Sequence, residues 1–164
     1  RPHRHLHRER EGERDEQQAD AAQEHQVVER RAPHRLLGAL GPAGAQALAD
    51  QGNMDGQYFL GFFYHNGFGV KPNQVEAVKW FQKAAEQGDP RSQYYVGIIY
   101  ATGKGVPKDL PKADMWLTLS ATNPKTTYRD SLYTKEEIAK IEKKLTPEQL
   151  AQVKEQVKNW KPQN

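Results

Sequence analysis

Apolar side chains along residues 52–123 fall in four blocks at three- and four-residue spacing, separated by short runs of Gly, Pro, Asn and Asp. That spacing lines one side of an α-helix. The blocks predict helices over about 54–66, 74–87, 90–102 and 110–122, and their ends carry local chemistry that fits. Asn73 followed by Glu76 suits a capping box, Asp89 places an N-cap before Pro90 at the first helical position, and Asp109 suits an N-cap for the fourth helix. Gly67 and Gly69, like Gly103 and Gly105, fall just past the first helix of each pair, where a left-handed residue ends a helix and reverses the chain. Val70 and Val106 then close the turn onto the core.

The chain repeats itself at a period of 36 residues. Gly52 falls on Gly88, Gln57 on Gln93, Tyr58 on Tyr94, Gly61 on Gly97, Tyr64 on Tyr100, Gly67 on Gly103, Ala77 on Ala113, Trp80 on Trp116 and Ala85 on Ala121. Each unit, 52–87 and 88–123, is a helix pair around a Gly-rich turn. Gly61 and Gly97 lie inside helices, where glycine costs about 1 kcal/mol relative to alanine. Close approach of the paired helix explains them, with alanines at 77, 84, 85, 113 and 121 permitting the contact and Trp80 and Trp116 expected to fill each unit's core. Residues 124–164 predict a helical cap. A Thr-x-x-Glu box at Thr134 is expected to open one helix bearing Ile138, Ile141 and Leu145, and Thr146-Pro147-Glu148-Gln149 another bearing Leu150, Val153, Val157 and Trp160. Residues 35–51 show weaker periodicity, interrupted by Gly38, Gly41, Pro42 and Gly44, and read as a degraded helix preceding the domain.

Leu60-Gly61-Phe62-Phe63-Tyr64, Gly67-Phe68-Gly69-Val70 and Ala77-Val78-Lys79-Trp80 recur as Val96-Gly97-Ile98-Ile99-Tyr100, Gly103-Lys104-Gly105-Val106 and Ala113-Asp114-Met115-Trp116. These pieces resemble the Sel-one-like repeats, a subclass of the tetratricopeptide-type helical repeats, over residues 45–164. The departures are Gly56 and Ser92 where the family commonly has Ala, Asn73 for an Asp, and Ser120 for an Ala. The resemblance implies an all-α solenoid of antiparallel helix pairs, two 36-residue repeats plus a C-terminal helical cap of a kind resembling bacterial members. It also implies a non-catalytic scaffold or adaptor that holds a peptide or protein partner on its concave face.

Charge separates the chain into two compositions. Residues 1–51 carry 8 Arg, no Lys and 9 acidic residues, while residues 52–164 carry 2 Arg, 14 Lys and 12 acidic residues. Almost no large apolar side chain occurs in the first 26 residues, so residues 1–40 are expected to be a low-complexity leader, disordered or artefactual. His3, His5 and His7 lack a preorganised setting, and no metal site is expected of them. The cap lysines alternate with glutamates as a solvated face, and the net charge of +3 is too small to indicate nucleic acid as a partner. Absence of Cys excludes thiol nucleophiles, thiolate zinc sites and disulfide frameworks. No apolar run of the length a membrane-spanning helix needs is present, so no membrane insertion is expected.

Catalytic signatures are missing too. The sequence has no G-x-S-x-G, phosphate loop, dinucleotide fingerprint or H-E-x-x-H, and no cofactor is expected. His65, alone within the repeats, suits a polar helix-end position. The rivals to a scaffold are a cell-wall-related hydrolase or β-lactam-binding protein of the same repeat family, and an element that self-associates through its N-terminal edge. On the first helix of each unit, Gln57, Leu60, Gly61 and Tyr64 share one side, while Phe59 and Phe62 point the other way, as do Tyr95 and Ile98 one repeat later. These four are the candidate partner-binding residues, expected to form an apolar row on the concave side. Coverage by a neighbouring helix is the alternative.

Overall fold

A computed structural model describes residues 35–163 as seven α-helices. They are α1 (Arg35–Asp50), α2 (Met54–Asn66), α3 (Gln74–Glu86), α4 (Pro90–Thr102), α5 (Leu110–Thr122), α6 (Tyr128–Glu142) and α7 (Pro147–Asn159). No strand occurs among the described residues. Each helix from α1 to α5 packs on the next in the chain, the connectivity of a helical solenoid, whereas α7 packs on α5. The leader and its histidines, residues 1–34, lie outside the described residues.

The caps follow from side-chain chemistry. Asn53, Asn73, Asp89 and Asp109 each accept a hydrogen bond from the backbone N–H three residues on, at 2.8, 3.1, 2.9 and 3.0 Å. Gly67 and Gly103 take φ of 72° and 73° and donate their N–H groups to Phe63 and Ile99, both at 2.8 Å. A side chain there would be strained, so both units end their first helix alike. Thr146 and Gln149 form a reciprocal capping box. The box expected at Thr134 does not form. The helix already begins at Tyr128, capped by Thr127, and buried Thr134 donates its hydroxyl to the Asp130 carbonyl at 2.8 Å. A Thr inside a helix satisfies its hydroxyl on the preceding turn, so the Thr-x-x-Glu spacing alone does not mark a start.

In the core the bulky residue of each unit sits one position past the tryptophan. Phe81 and Leu117 are fully buried, whereas Trp80 is half-exposed beneath Lys83, whose Nζ stands 4.3 Å from the ring centroid. Trp116 is buried, edge-on to Trp160 at 6.3 Å. A Cβ added at Gly61 would lie 2.8 Å from the Phe81 ring, and one at Gly97 would lie 2.6 Å from Leu117 Cγ. The two helix-interior glycines thus admit a large side chain of the paired helix.

α1 is more than a degraded leader helix. It kinks at Gly41 (φ 65°, ψ −169°), ahead of Pro42, and its second half lies so close to α2 that a Cβ on Gly56 would meet Leu48 Cβ at 2.6 Å. That contact accounts for Gly56 where the related repeats carry Ala. Asn53 N–H bonds the Leu48 carbonyl at 3.1 Å, as Asp89 N–H bonds the Ala84 carbonyl at 3.1 Å. By register and bonding, α1 stands where the second helix of a preceding unit would stand. The inter-unit links repeat as well: Gln87 Nε2 donates to the Gly52 carbonyl (3.2 Å) and Asn123 Nδ2 to the Gly88 carbonyl (3.0 Å).

Candidate binding surface and a buried carboxyl

The four residues expected to form an apolar row divide by depth. Phe59 is buried, edge-on to Tyr58 at 5.2 Å and tilted against Phe63 at 6.5 Å. Tyr95 is buried and stacks on Phe81 at 4.6 Å with the rings 2° from parallel. For these two the expectation of exposure is corrected: Phe59 packs among the rings of its own helix, and Tyr95 joins the second unit to the first rather than facing out. Phe62 and Ile98 remain half-exposed. Phe62 lies 5.9 Å from the ring of Phe68, itself 53% exposed at the turn, and Ile98 rests on the cluster of Ala113, Leu117 and Ile141. Phe68 was not among the sequence candidates because its place between two turn glycines suggested only turn structure.

Polar order at the seam of the units centres on Arg91. Its Nη2 donates to Asp55 at 2.6 Å, its Nε to Asp89 at 2.9 Å, and its guanidinium lies 4.0 Å from the centroid of Tyr58. Burial disfavours the charge, but Asp89 and Asp55 outweigh that and hold the guanidinium above its ordinary pKa. Asp89 also accepts from the Ser92 hydroxyl at 2.6 Å. His65 donates from Nδ1 to Gln74 Oε1 at 2.9 Å, and Gln74 Nε2 donates to the His65 carbonyl at 3.1 Å, a pairing that orders the helix end. Among the described residues no group of three His, Cys, Asp or Glu is placed to hold a metal ion. Nor is any described helix long and apolar enough to cross a membrane.

A second feature lies between α5, the end of α6 and α7. Asp114 is 1% exposed; Oδ1 accepts from the Thr118 hydroxyl at 3.2 Å, and Oδ2 has no hydrogen-bond partner. Burial first, and the Glu142 charge second, raise its pKa to about 6, against the Thr118 hydrogen bond. The folded chain therefore holds a proton that the unfolded chain has released, and stability falls as pH rises from about 4 through about 6. The loss is on the order of 2–3 kcal/mol. Urea midpoints measured at pH 4 and pH 8 should converge in Asp114→Asn, the variant being the more stable at pH 8. Equal pH dependence in both chains would refute this assignment.

Comparison with known proteins places these features in a family. The Sel1 repeat model matches residues 55–89 and 90–124, the two central helix pairs. Among solved structures, the chain resembles a protective antigen present in uropathogenic Escherichia coli strains that displays an SLR fold. Identity is 33%, the TM-score is 0.66, and the match covers 73% of this chain and 24% of that one. It also resembles a Sel1 repeat protein from Oxalobacter formigenes, at 33% identity and a TM-score of 0.50, covering 51% of this chain and 35% of that one. The chain thus matches about a quarter and about a third of the lengths of these two proteins. No curated protein matches it. Period, caps, glycine contacts and both repeat matches coincide on the same helix pairs, and residues 55–124 of the chain are two Sel1 repeats.

Proposed function

We propose that this chain is a non-catalytic scaffold that holds a peptide or protein partner on the face of its first helices, α2 and α4. Sel1 repeats generally serve as protein-protein interaction scaffolds, and the reading for this chain builds on that. The observation that carries it is the Phe62–Phe68 aromatic pair, one ring half-exposed and the other 53% exposed, on a face that also bears Ile98. An exposed aromatic pair is costly to leave in water and is the kind of anchor that dominates interfaces.

The test compares the full chain with a Phe62→Ser, Phe68→Ser double variant in affinity capture from the cells that make the protein, after circular dichroism shows both folded. The expected result is a partner retained by the parent chain and reduced at least tenfold on the variant. Equal retention by both would remove this face from the binding surface.

A further inference from the structure

The cavity beside Asp114 lies apart from the aromatic face and is untouched by the scaffold reading. It is a half-open cleft of about 200 Å³ between α5, α6 and α7. Leu150, Val153 and Val157 of α7 line it with apolar carbons, while Asp114 and Thr118 come from α5 and Glu142 from the end of α6. Three observations bear on an occupant. The Asp114 carboxyl is almost wholly buried, yet Oδ2 lacks any hydrogen-bond donor. A buried polar atom left unsatisfied costs free energy that a donor in the cavity would recover. Glu142 places a second negative charge nearby, so a cationic donor is preferred to a neutral one. The walls facing the two acids are aliphatic, which suits a ligand with a hydrocarbon stem behind its charged end.

We infer that this cavity is a binding site for a primary ammonium group on a short aliphatic chain, with the ammonium donating to Asp114 Oδ2 and the stem against Leu150, Val153 and Val157. Such a group is carried both by free alkylamines and by lysine side chains. The cavity has a competitor at hand in Lys154 of α7, which lines it. The ion pairs among the described residues join Lys79 to Glu76, Arg91 to Asp55 and Asp89, and Lys140 to Glu137, and none involves Lys154. The position facing the cavity is Val78 in the first repeat, so the carboxyl belongs to the second repeat alone. α7 packs on α5, the helix that carries Asp114, and the cavity lies at that contact.

The experiment is an amide-resolved NMR titration of the full chain at pH 7.5 with n-butylammonium, with n-butanol as the neutral counterpart of the same length. Saturable shifts confined to residues near 114, 142 and 150–157 are expected, with butanol at least tenfold weaker. Asp114→Asn should remove the saturable shifts while the fold, followed by the remaining amides, stays intact. Lys154→Met should tighten binding severalfold by deleting the resident cation. Nα-acetyl-lysine N-methylamide separates the sources: comparable affinity assigns the site to a lysine side chain, and binding of butylammonium only assigns it to a free amine. Equal response to butanol, unchanged titration in Asp114→Asn, or no saturable shift would overturn the inference.

Discussion

Replacing Phe81 by alanine is expected to cost about 3–5 kcal/mol and to leave the chain largely unfolded under mild denaturant, because the ring is fully buried between the two units. The same ring stacks on Tyr95 at 4.6 Å and fills the space over Gly61, so its removal opens a cavity at the joint itself. A double-mutant cycle makes this specific. In the parent chain Gly61→Ala puts a Cβ 2.8 Å from the ring and should destabilise by about 1–3 kcal/mol. With Phe81→Ala already present the clash is gone, and the better helix propensity of alanine should make the same change stabilising by about 1 kcal/mol. Chemical denaturation of the four chains checks it. A coupling energy near zero would mean that ring and glycine do not oppose each other as described.

Asp89→Ala is the second large effect, with an expected loss of about 2–3 kcal/mol. The carboxylate caps α4 through Ser92 N–H, accepts from the Ser92 hydroxyl and from Arg91 Nε, and is 2% exposed, so deleting it leaves three donors short of an acceptor at one buried point. Asp89→Asn keeps the shape and an acceptor oxygen and should lose roughly half as much. Asn53 occupies the equivalent place in the preceding unit but is exposed and has no arginine to hold. Asn53→Ala should therefore cost no more than about 1 kcal/mol. Thermal unfolding of the three variants ranks them, and an equal loss at both caps would show that the Arg91 network adds nothing.

Much of this architecture is written in local chemistry. Helix ends at Asn73, Asp89 and Asp109, the turns at Gly67 and Gly103 and the glycine-mediated contacts all follow from short-range rules that a 36-residue period applies twice. Longer-range facts were less legible. Whether Tyr95 is exposed depends on the neighbouring unit, because a residue pointing away from its own pair can still be covered by the rings of the unit before it. The register does contain one signal that points to α1. Leu48-Ala49-Asp50-Gln51-Gly52-Asn53 aligns with Ala84-Ala85-Glu86-Gln87-Gly88-Asp89, and the hydrogen bonds of the two segments agree. Interrupting glycines upstream of Ala45 hid that match. The burial of Asp114 could not be read from its own helix, since it depends on α7, which packs on α5 from two helices further along the chain.

The C-terminal residues have a structural consequence of the same long-range kind. Gln163 N–H donates to the Glu86 carbonyl at 2.8 Å, and Pro162 and Trp160 lie against the space over Gly88. The segment after α7 therefore ties the second unit's cover back to the end of α3 in the first.

Site-specific photocrosslinking in the cells that make the protein tests the scaffold reading most directly. A photoreactive phenylalanine analogue is placed in separate chains at Phe62 and Ile98, on the proposed binding face, and at Val75 and Lys79, exposed positions of α3. The scaffold account predicts a discrete covalent adduct with the same protein from positions 62 and 98 and none from 75 and 79. Adducts from the α3 positions alone, or no adduct from 62 and 98 in folded, expressed chains, would contradict it.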